Sequence, residues 1–356
     1  MDSNIKTVFF NTVKELSSAQ NLPSIDYFRA LLDKAISTLE NEKRSYRPSA
    51  DNKNAGGLLD FTSEKNASLP VIVVPDLHAR AYFLFNIINF SLPPSFLYNT
   101  GNNSEANSKS LTVLDALVQK KVRIVCVGDL LHSEMRGRTR WIQAYTECVR
   151  GEFEGSAMTS EMVEGLSLLC MVLELKNAFP EHFHILKGNH ENILNQTGDG
   201  DFAFCKFVDE GEMVRRFMES HYGDEILYLV SLFEKSLPLV AAFKECVVSH
   251  GEPYRPFLKK EIINGMKNAD VVQGLTWTEN NRAQNGSVLA MLKKFTRRRD
   301  FSEARYLGGH RPVVGNYALR QNGFYIQIHN PERQNIALVH KGRRFDPDTD
   351  IVSVEK

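Results

Sequence analysis

An α/β fold follows from three observations. Apolar β-rich runs at 71–74, 122–127 and 183–186 alternate with helical or loop segments, the pattern of a sheet covered on its faces by helices. At 356 residues the chain has room for one large α/β core with a helical extension, or for two domains. Five runs, VIVVPDLHAR, IVCVGDL, ILKGNHEN, CVVSHGEP and LGGHRP, are each an apolar β-type stretch or a Gly-marked turn that ends in Asp, Asn or His. Together they present Asp76, His78, Asp129, Asn189, His190, His250 and His310, which places one polar site at the tips of several strands.

Taken in order, residues 1–42 predict two helices. Val8, Phe9, Val13 and Leu16 form one stripe; Ile25, Phe28, Leu31, Leu32, Ala35 and Leu39 form another, with Ser24 as its cap. These helices are expected to pack on the catalytic body or on a second subunit. The run from Asn41 to about Leu69 is polar and rich in Asn, Ser and Gly, so it reads as a surface linker, dividing 1–69 from a catalytic unit at 70–356. Residues 91–110 read as a surface excursion, and Arg140 to Pro180 as helical, with Met162, Leu166, Leu169, Val172 and Leu173 on one face. SLPLVAAF and ECVVSH predict a β-hairpin, and GFYIQIH and NIALVHKG a second one.

The totals exclude some functions. Lys and Arg number 43 and Asp and Glu 43, so no global field favours nucleic acid or an anionic membrane surface. The N-terminus lacks the apolar stretch of a secretory signal, and no sequence run approaches the roughly 18 apolar residues of a bilayer span. Cys126, Cys148, Cys170, Cys205 and Cys246 show no CxxC pairing and read as small hydrophobes in a reducing, cytoplasmic setting.

Carboxylate, imidazole and amide oxygen are the ligands expected for two divalent metals that activate water against a phosphoryl group. Asp76 and His78, at i and i+2, lie on one side of a strand end and can reach one ion together. Asp129 has two oxygens, enough to bridge two cations at ~3.5–4 Å. In GNHE, Gly188 permits a tight turn, Asn189 supplies an amide oxygen, and His190 is placed to protonate a departing alkoxide. His250 and His310 complete the second set if their neutral nitrogens point inward. His182 and His184 flank a strand, and His329 and His340 lie near the C-terminus; all four read as structural. Basic TRRRD at 296–300 reads as a solvated turn.

These motifs resemble the calcineurin-like metallophosphoesterases, and within them the phosphoprotein phosphatase branch. Its signature GDxHG, GDxxDRG, GNHE, HGG and GH is similar to PDLHA, GDLLHSE, GNHE, SHGEP and GGHRP here, and TWTEN at 276–280 resembles its Trp-Ser/Thr segment. The resemblance covers about residues 70–340. It implies a four-layer α/β/β/α sandwich with two central sheets, here carrying an N-terminal helical extension. It implies that Asp76, His78 and Asp129 hold one metal, that Asp129, Asn189, His250 and His310 hold the other, and that His190 is the general acid. The metals would be manganese, iron, zinc or magnesium, and a hydroxide bridging them would attack phosphorus directly, with Asp129 taking part in catalysis through the ions it bridges.

Three departures bear on substrate. Pro75 and Ala79 replace glycines; His132 stands where the family has an Asp that orients the acid; Ser133 stands where it has an Arg that grips phosphate. Arg80 and Arg282 are expected to supply the missing charge, ahead of Arg136 and Arg138, since Arg suits bidentate phosphate contact. The expected activity is hydrolysis of phosphomonoesters, including phosphoserine and phosphothreonine in proteins. The alternatives are a nucleotide phosphodiesterase or pyrophosphatase, such as a dinucleoside polyphosphate hydrolase, and a scaffold that docks a partner through its N-terminal helices.

Overall fold

The computed structural model describes residues 3–51, 55–63, 69–98 and 110–355. Two sheets lie face to face. One has five strands in the order Ile351–Ser353, Asn335–Val339, Val71–Val74, Arg123–Cys126 and Phe183–Ile185. The other has six, in the order Leu58–Asp60, Val240–Ala242, Cys246–Ser249, Arg305–Gly308, Tyr325–Gln327 and Ala318–Arg320. Alternation along each strand builds the layers, because successive side chains face opposite sides. Val71, Val73, Val125 and Val127 meet Ala241, Val248, Leu307 and Ile326 between the sheets. Ile72, Val74, Ile124 and Cys126 point outward beneath one helical layer, and Val240, Val247, Tyr306 and Tyr325 point outward beneath the other. The architecture is the expected α/β/β/α sandwich.

Both N-terminal helices form, at Ser3–Ser17 and Ile25–Glu40. Phe9, Val13, Phe28, Leu32, Ala35 and Leu39 are buried in the same core as the five-stranded sheet, against the long helices Ser156–Ala178 and Glu210–Lys235. Val8 falls at the edge of its stripe and is exposed, and Ser24 occupies the cap position without a capping bond from its hydroxyl. Helix Ser156–Ala178 is long and apolar enough by composition to cross a bilayer, but most of it is buried among the other helices. It is the centre of the helical layer and not an insertion.

Two expectations are corrected. The run at 41–69 is more than a linker: within it Leu58–Asp60 pairs in parallel with Val240–Ala242, and Tyr46, Arg47 and Phe61 are buried. Its polar composition conceals this because Arg47 is satisfied internally. The guanidinium donates to the carbonyls of Gly56, Leu39 and Ser236 and to Glu42. The C-terminal hairpin does not form either. Tyr325–Gln327 pairs in parallel with Arg305–Gly308, whereas Asn335–Val339 pairs with Val71–Val74 in the other sheet. Both segments alternate for burial on two faces, so periodicity could not say which sheet each joins. The first hairpin forms as expected, with Val240–Ala242 antiparallel to Cys246–Ser249. In the 91–110 segment Ser91–Leu92 pairs with Leu111–Thr112; residues 99–109 lie outside the described residues.

Glu42 ties the N-terminal segment to the body. Its carboxylate sits 2.5 Å from Lys176 Nζ, 2.5 Å from the Arg47 guanidinium and 3.3 Å from His184 Nδ1, all buried. Burial opposes its charge, but Lys176, Arg47 and His184 outweigh that and hold it well below the usual carboxylate range. Glu42→Gln strands two buried cations and is expected to cost about 3–5 kcal/mol in urea unfolding at pH 7. Because the folded carboxyl titrates lower than the unfolded one, the wild-type advantage is full above the unfolded value and shrinks as pH falls toward the folded one.

Candidate metal centre

Six of the strand ends deliver polar side chains to one place. The parallel strands Val71–Val74, Arg123–Cys126 and Phe183–Ile185 lead at their carboxyl ends to Asp76 and His78, to Asp129, and to Asn189 and His190. From the facing sheet, Cys246–Ser249 and Arg305–Gly308 lead to His250 and His310, and Tyr325–Gln327 leads to His329. Carboxyl ends of parallel strands are where open α/β sheets place their ligands.

The exits are held in sparsely populated backbone. His78, Ala79, Asp129, His132 and His310 all have φ between 42° and 66°. Such left-handed conformations cost about 1–3 kcal/mol each and persist only where the surroundings impose them. Here the two exit loops bond to each other, with His78 N donating to Asp129 O at 2.7 Å and Ala79 N to Leu130 O at 2.9 Å. Glu191, 3% exposed, accepts from the amides of Gly188, Asp129 and Leu130 and locks the GNHE turn to the Asp129 loop. At Gly309 an added Cβ would lie 2.4 Å from an Asp76 oxygen, so only glycine lets the His310 amide reach that carboxylate.

Proton accounting then becomes decisive. His250 Nδ1 lies 3.1 Å from Val127 O and 3.2 Å from Asp76 Oδ1, both acceptors, so it carries the hydrogen. In neutral imidazole Nε2 is then a bare lone pair. It faces Asn189 Oδ1 at 2.9 Å, His310 Nδ1 at 3.3 Å and Asp129 Oδ2 at 3.5 Å, and His310 Nδ1 also stands 2.9 Å from that amide oxygen. One proton on His310 can satisfy only one of these contacts. Ligands bound at ~2.0–2.2 Å around one ion stand roughly 3.0–3.5 Å apart, which matches the set. The same logic holds on the other side. His78 Nδ1 faces His132 O at 3.0 Å, leaving Nε2 as a lone pair 3.5 Å from Asp129 and 3.7 Å from Glu134.

Burial pushes the Asp129 carboxyl up to about 8, with Glu191 and Asp76 adding to the effect against His250. Burial opposes charge on His250, yet Asp129 and Asp76 raise it to about 9. Burial lowers His78 to about 4 and His310 to about 3, keeping both neutral. Without an ion the cluster therefore holds protons on Asp129 and His250; a divalent cation would displace them and supply the positive charge that these buried groups call for.

All of Asp76, His78, Asp129, Asn189, His190, His250 and His310 come together, as the resemblance implies. Two further residues join them. His329, expected to be structural, is fully buried, with Nδ1 3.0 Å from Asp76 and Nε2 3.0 Å from Glu134. Burial works against its charge, but these carboxylates raise it to about 9. His329 thus bridges two acids as an imidazolium; only after losing a proton could it join His78 and Glu134 in holding an ion. The signal was present: YIQIH is another apolar run ending in His. Glu134 had no such signal, being the last residue of a divergent motif. His182, His184 and His340 lie elsewhere, bonded to Val122 O, beside Glu42, and against Phe96.

The expected arginines are not at the site. Arg80 is buried, but its guanidinium is held by the carbonyls of Leu77, Asp76, Asn330, Pro331 and Arg333. Carbonyls from two loops some 250 positions apart cannot be read from sequence. Arg282 and Arg138 are exposed. Arg136 donates to the carbonyls of His78 and Ala79 and pairs with Glu164. Ser133 turns away from the site and bonds to Glu161.

No protein-family model and no curated protein sequence matches the chain. Among solved structures it is similar to a protein serine/threonine phosphatase from Saccharomyces cerevisiae, with TM-score 0.53 and 14% identity over 94% of this chain and 90% of that one. The chain has a phosphatase-like α/β fold. A cold-active protein-tyrosine phosphatase from a psychrophilic Shewanella aligns with TM-score 0.44 and 12% identity over 81% of each chain.

Manganese at a hundred times its dissociation constant should raise the unfolding free energy by about 2.7 kcal/mol, and chelation should remove that gain. In His250→Ala the gain should fall by more than half, as measured by calorimetry with elemental analysis of the loaded protein.

Proposed function

We propose that this chain is a metal-dependent phosphoesterase of the calcineurin-like type that hydrolyses phosphomonoesters, with phosphoserine and phosphothreonine side chains as its favoured substrate class. The observation that carries the reading is the convergence within 3.5 Å of His250 Nε2 of Asn189 Oδ1, His310 Nδ1 and Asp129 Oδ2, all atoms able to ligate one ion once His250 and Asp129 give up their protons. Asp76, His78 and Asp129 would hold one divalent ion, and Asp129, Asn189, His250 and His310 the other. Bound there, the ions supply charge for the phosphoryl oxygens and lower the pKa of water.

The chain's own residues do the rest. His190 stands with Nε2 3.8 Å from Asp129 and its ring against Phe204, with centroids 4.0 Å apart, which fixes its plane. Its Nδ1 lies 3.0 Å from His132 Nδ1, and both imidazoles are driven down by burial and by neighbouring histidines, His132 to about 3. The pair is neutral, so one Nδ1–H is shared between two nitrogens. With His132 as donor, His190 keeps its hydrogen on Nε2, toward the site, where it can hydrogen-bond the leaving oxygen; to donate that proton outright the pair must first take one up as an imidazolium. His132 therefore performs the orienting task of the family's Asp but contributes no negative charge.

The scaffold alternative loses its main support, because the N-terminal helices are part of the core and present no free docking face along their buried stripes. Against the nucleotide alternative, the test is a comparison of manganese-loaded protein on an aryl phosphate, a phosphodiester and a dinucleoside polyphosphate. The monoester should be turned over fastest; preference for either of the others would overturn the assignment. His190→Ala should lower kcat by about 10²–10⁴ on alkyl phosphates and much less on an aryl phosphate, whose leaving group needs little protonation. His132→Asp should raise kcat on alkyl phosphates relative to aryl ones, read from the ratio of the two.

A further inference from the structure

We propose that Arg311 is the phosphate-gripping residue of this site, held at rest by Glu279. This inference rests on the phosphoesterase reading and names the group that confers monoester preference. Ser133 leaves the usual position without a cation, and the neighbouring arginines are spent: Arg80 on backbone carbonyls, Arg136 on the His78 loop, and Arg140 on Glu161 and Glu164. Arg311 follows His310 directly, so its Cα is one residue from a proposed ligand. Its backbone is fixed on both sides, with N donating to Gly309 O and O accepting from the buried Gln327 Nε2, each at 2.8 Å. The same amide also bonds Gly309 O and Asn280 Oδ1, so the turn cannot drift from the site.

Burial works against the charge of its guanidinium, and Asp129 and Glu134, two acids of the site, partly offset that effect. One terminal nitrogen pairs with Glu279 of the TWTEN segment, while Nε is buried and makes no hydrogen bond. Nε and a terminal nitrogen form the edge that grips two oxygens of a phosphate side by side. Glu279 is half exposed, so its hold is weak and can yield to a dianion brought in by the metals. A second cation, Lys206, is already paired with Glu134 and stands as a point charge without a fork.

The experiment uses the full chain loaded with manganese and measures inorganic phosphate binding by calorimetry and KM on an aryl phosphate. Arg311→Ala should weaken both by about tenfold to a hundredfold, with metal stoichiometry and thermal unfolding unchanged. Arg311→Lys should recover only part, since charge returns without the fork, and Glu279→Gln should tighten phosphate. If loaded Arg311→Ala binds phosphate like the wild type while the wild type hydrolyses the ester, this proposal fails and the phosphoesterase reading stands. A loaded wild type that neither binds phosphate nor hydrolyses any ester overturns both. Should Arg311→Ala fail to fold or to load, Glu279→Gln decides, and unchanged phosphate affinity there overturns the proposal.

Discussion

Everything at the site depends on the crowding of carboxylates and imidazoles at the carboxyl ends of two facing sheets. His250, Asn189, His310 and Asp129 on one side, and His78, Asp129 and Glu134 on the other, turn buried polar atoms into shared space. In a buried, low-dielectric setting such an arrangement is costly unless positive charge compensates it. The fold spends strained backbone to maintain it, in five left-handed non-glycine residues around the exits. Glu191 and the mutual bonds of the two exit loops are what hold that strain in place.

The sequence around Asp129 shows how charge can be redistributed without moving the centre. His132, Ser133 and Glu134 differ together from the resembled motif, and each change has a partner. A neutral imidazole at His132 supports His190 by sharing a proton, where a carboxylate would have supported it by charge. Glu134 adds an acid beside His78, and His329 meets it as an imidazolium that also binds Asp76. The added negative and positive charges cancel locally, so the site keeps its net demand for cations. Ser133 is drawn into the Glu161–Arg140 network, so the position where the resembled motif carries an Arg offers no positive charge here.

How much of this was legible depends on whether a residue's environment is local. Asp76, His78, Asp129, Asn189, His250 and His310 each follow an apolar run, so the strand itself carries them to the site and the sequence declares it. Arg80 has the same signature by position, yet its destination is set by three carbonyls some 250 positions away, which no local pattern reports. Leu58–Asp60 was hidden for a related reason. A three-residue edge strand in a polar run has no periodicity, and its partner Val240–Ala242 is remote in sequence. His329 was misread only because it was weighed as a member of a hairpin that does not exist. Placed at the end of a strand parallel to Arg305–Gly308, it belongs beside His310.

The N-terminal helices complete this logic from the far side of the five-stranded sheet. Helix Ser156–Ala178 buries residues on nearly every face, Glu161 and Lys176 among them, so it must be enclosed on most sides. The sheet covers one face; Ser3–Ser17 and Ile25–Glu40 cover others, with Phe9 set edge-on against Phe179 and Phe28 against Tyr222. Glu42 then fastens the end of the second helix to Lys176 inside the long helix, while Arg47 carries the chain across to the second sheet. The segment that looked like an appendage is therefore what joins the two halves of the sandwich away from the candidate metal centre. Loss of that fastening would act on the site only through the packing that holds the sheets in register, so stability should respond to it before chemistry does.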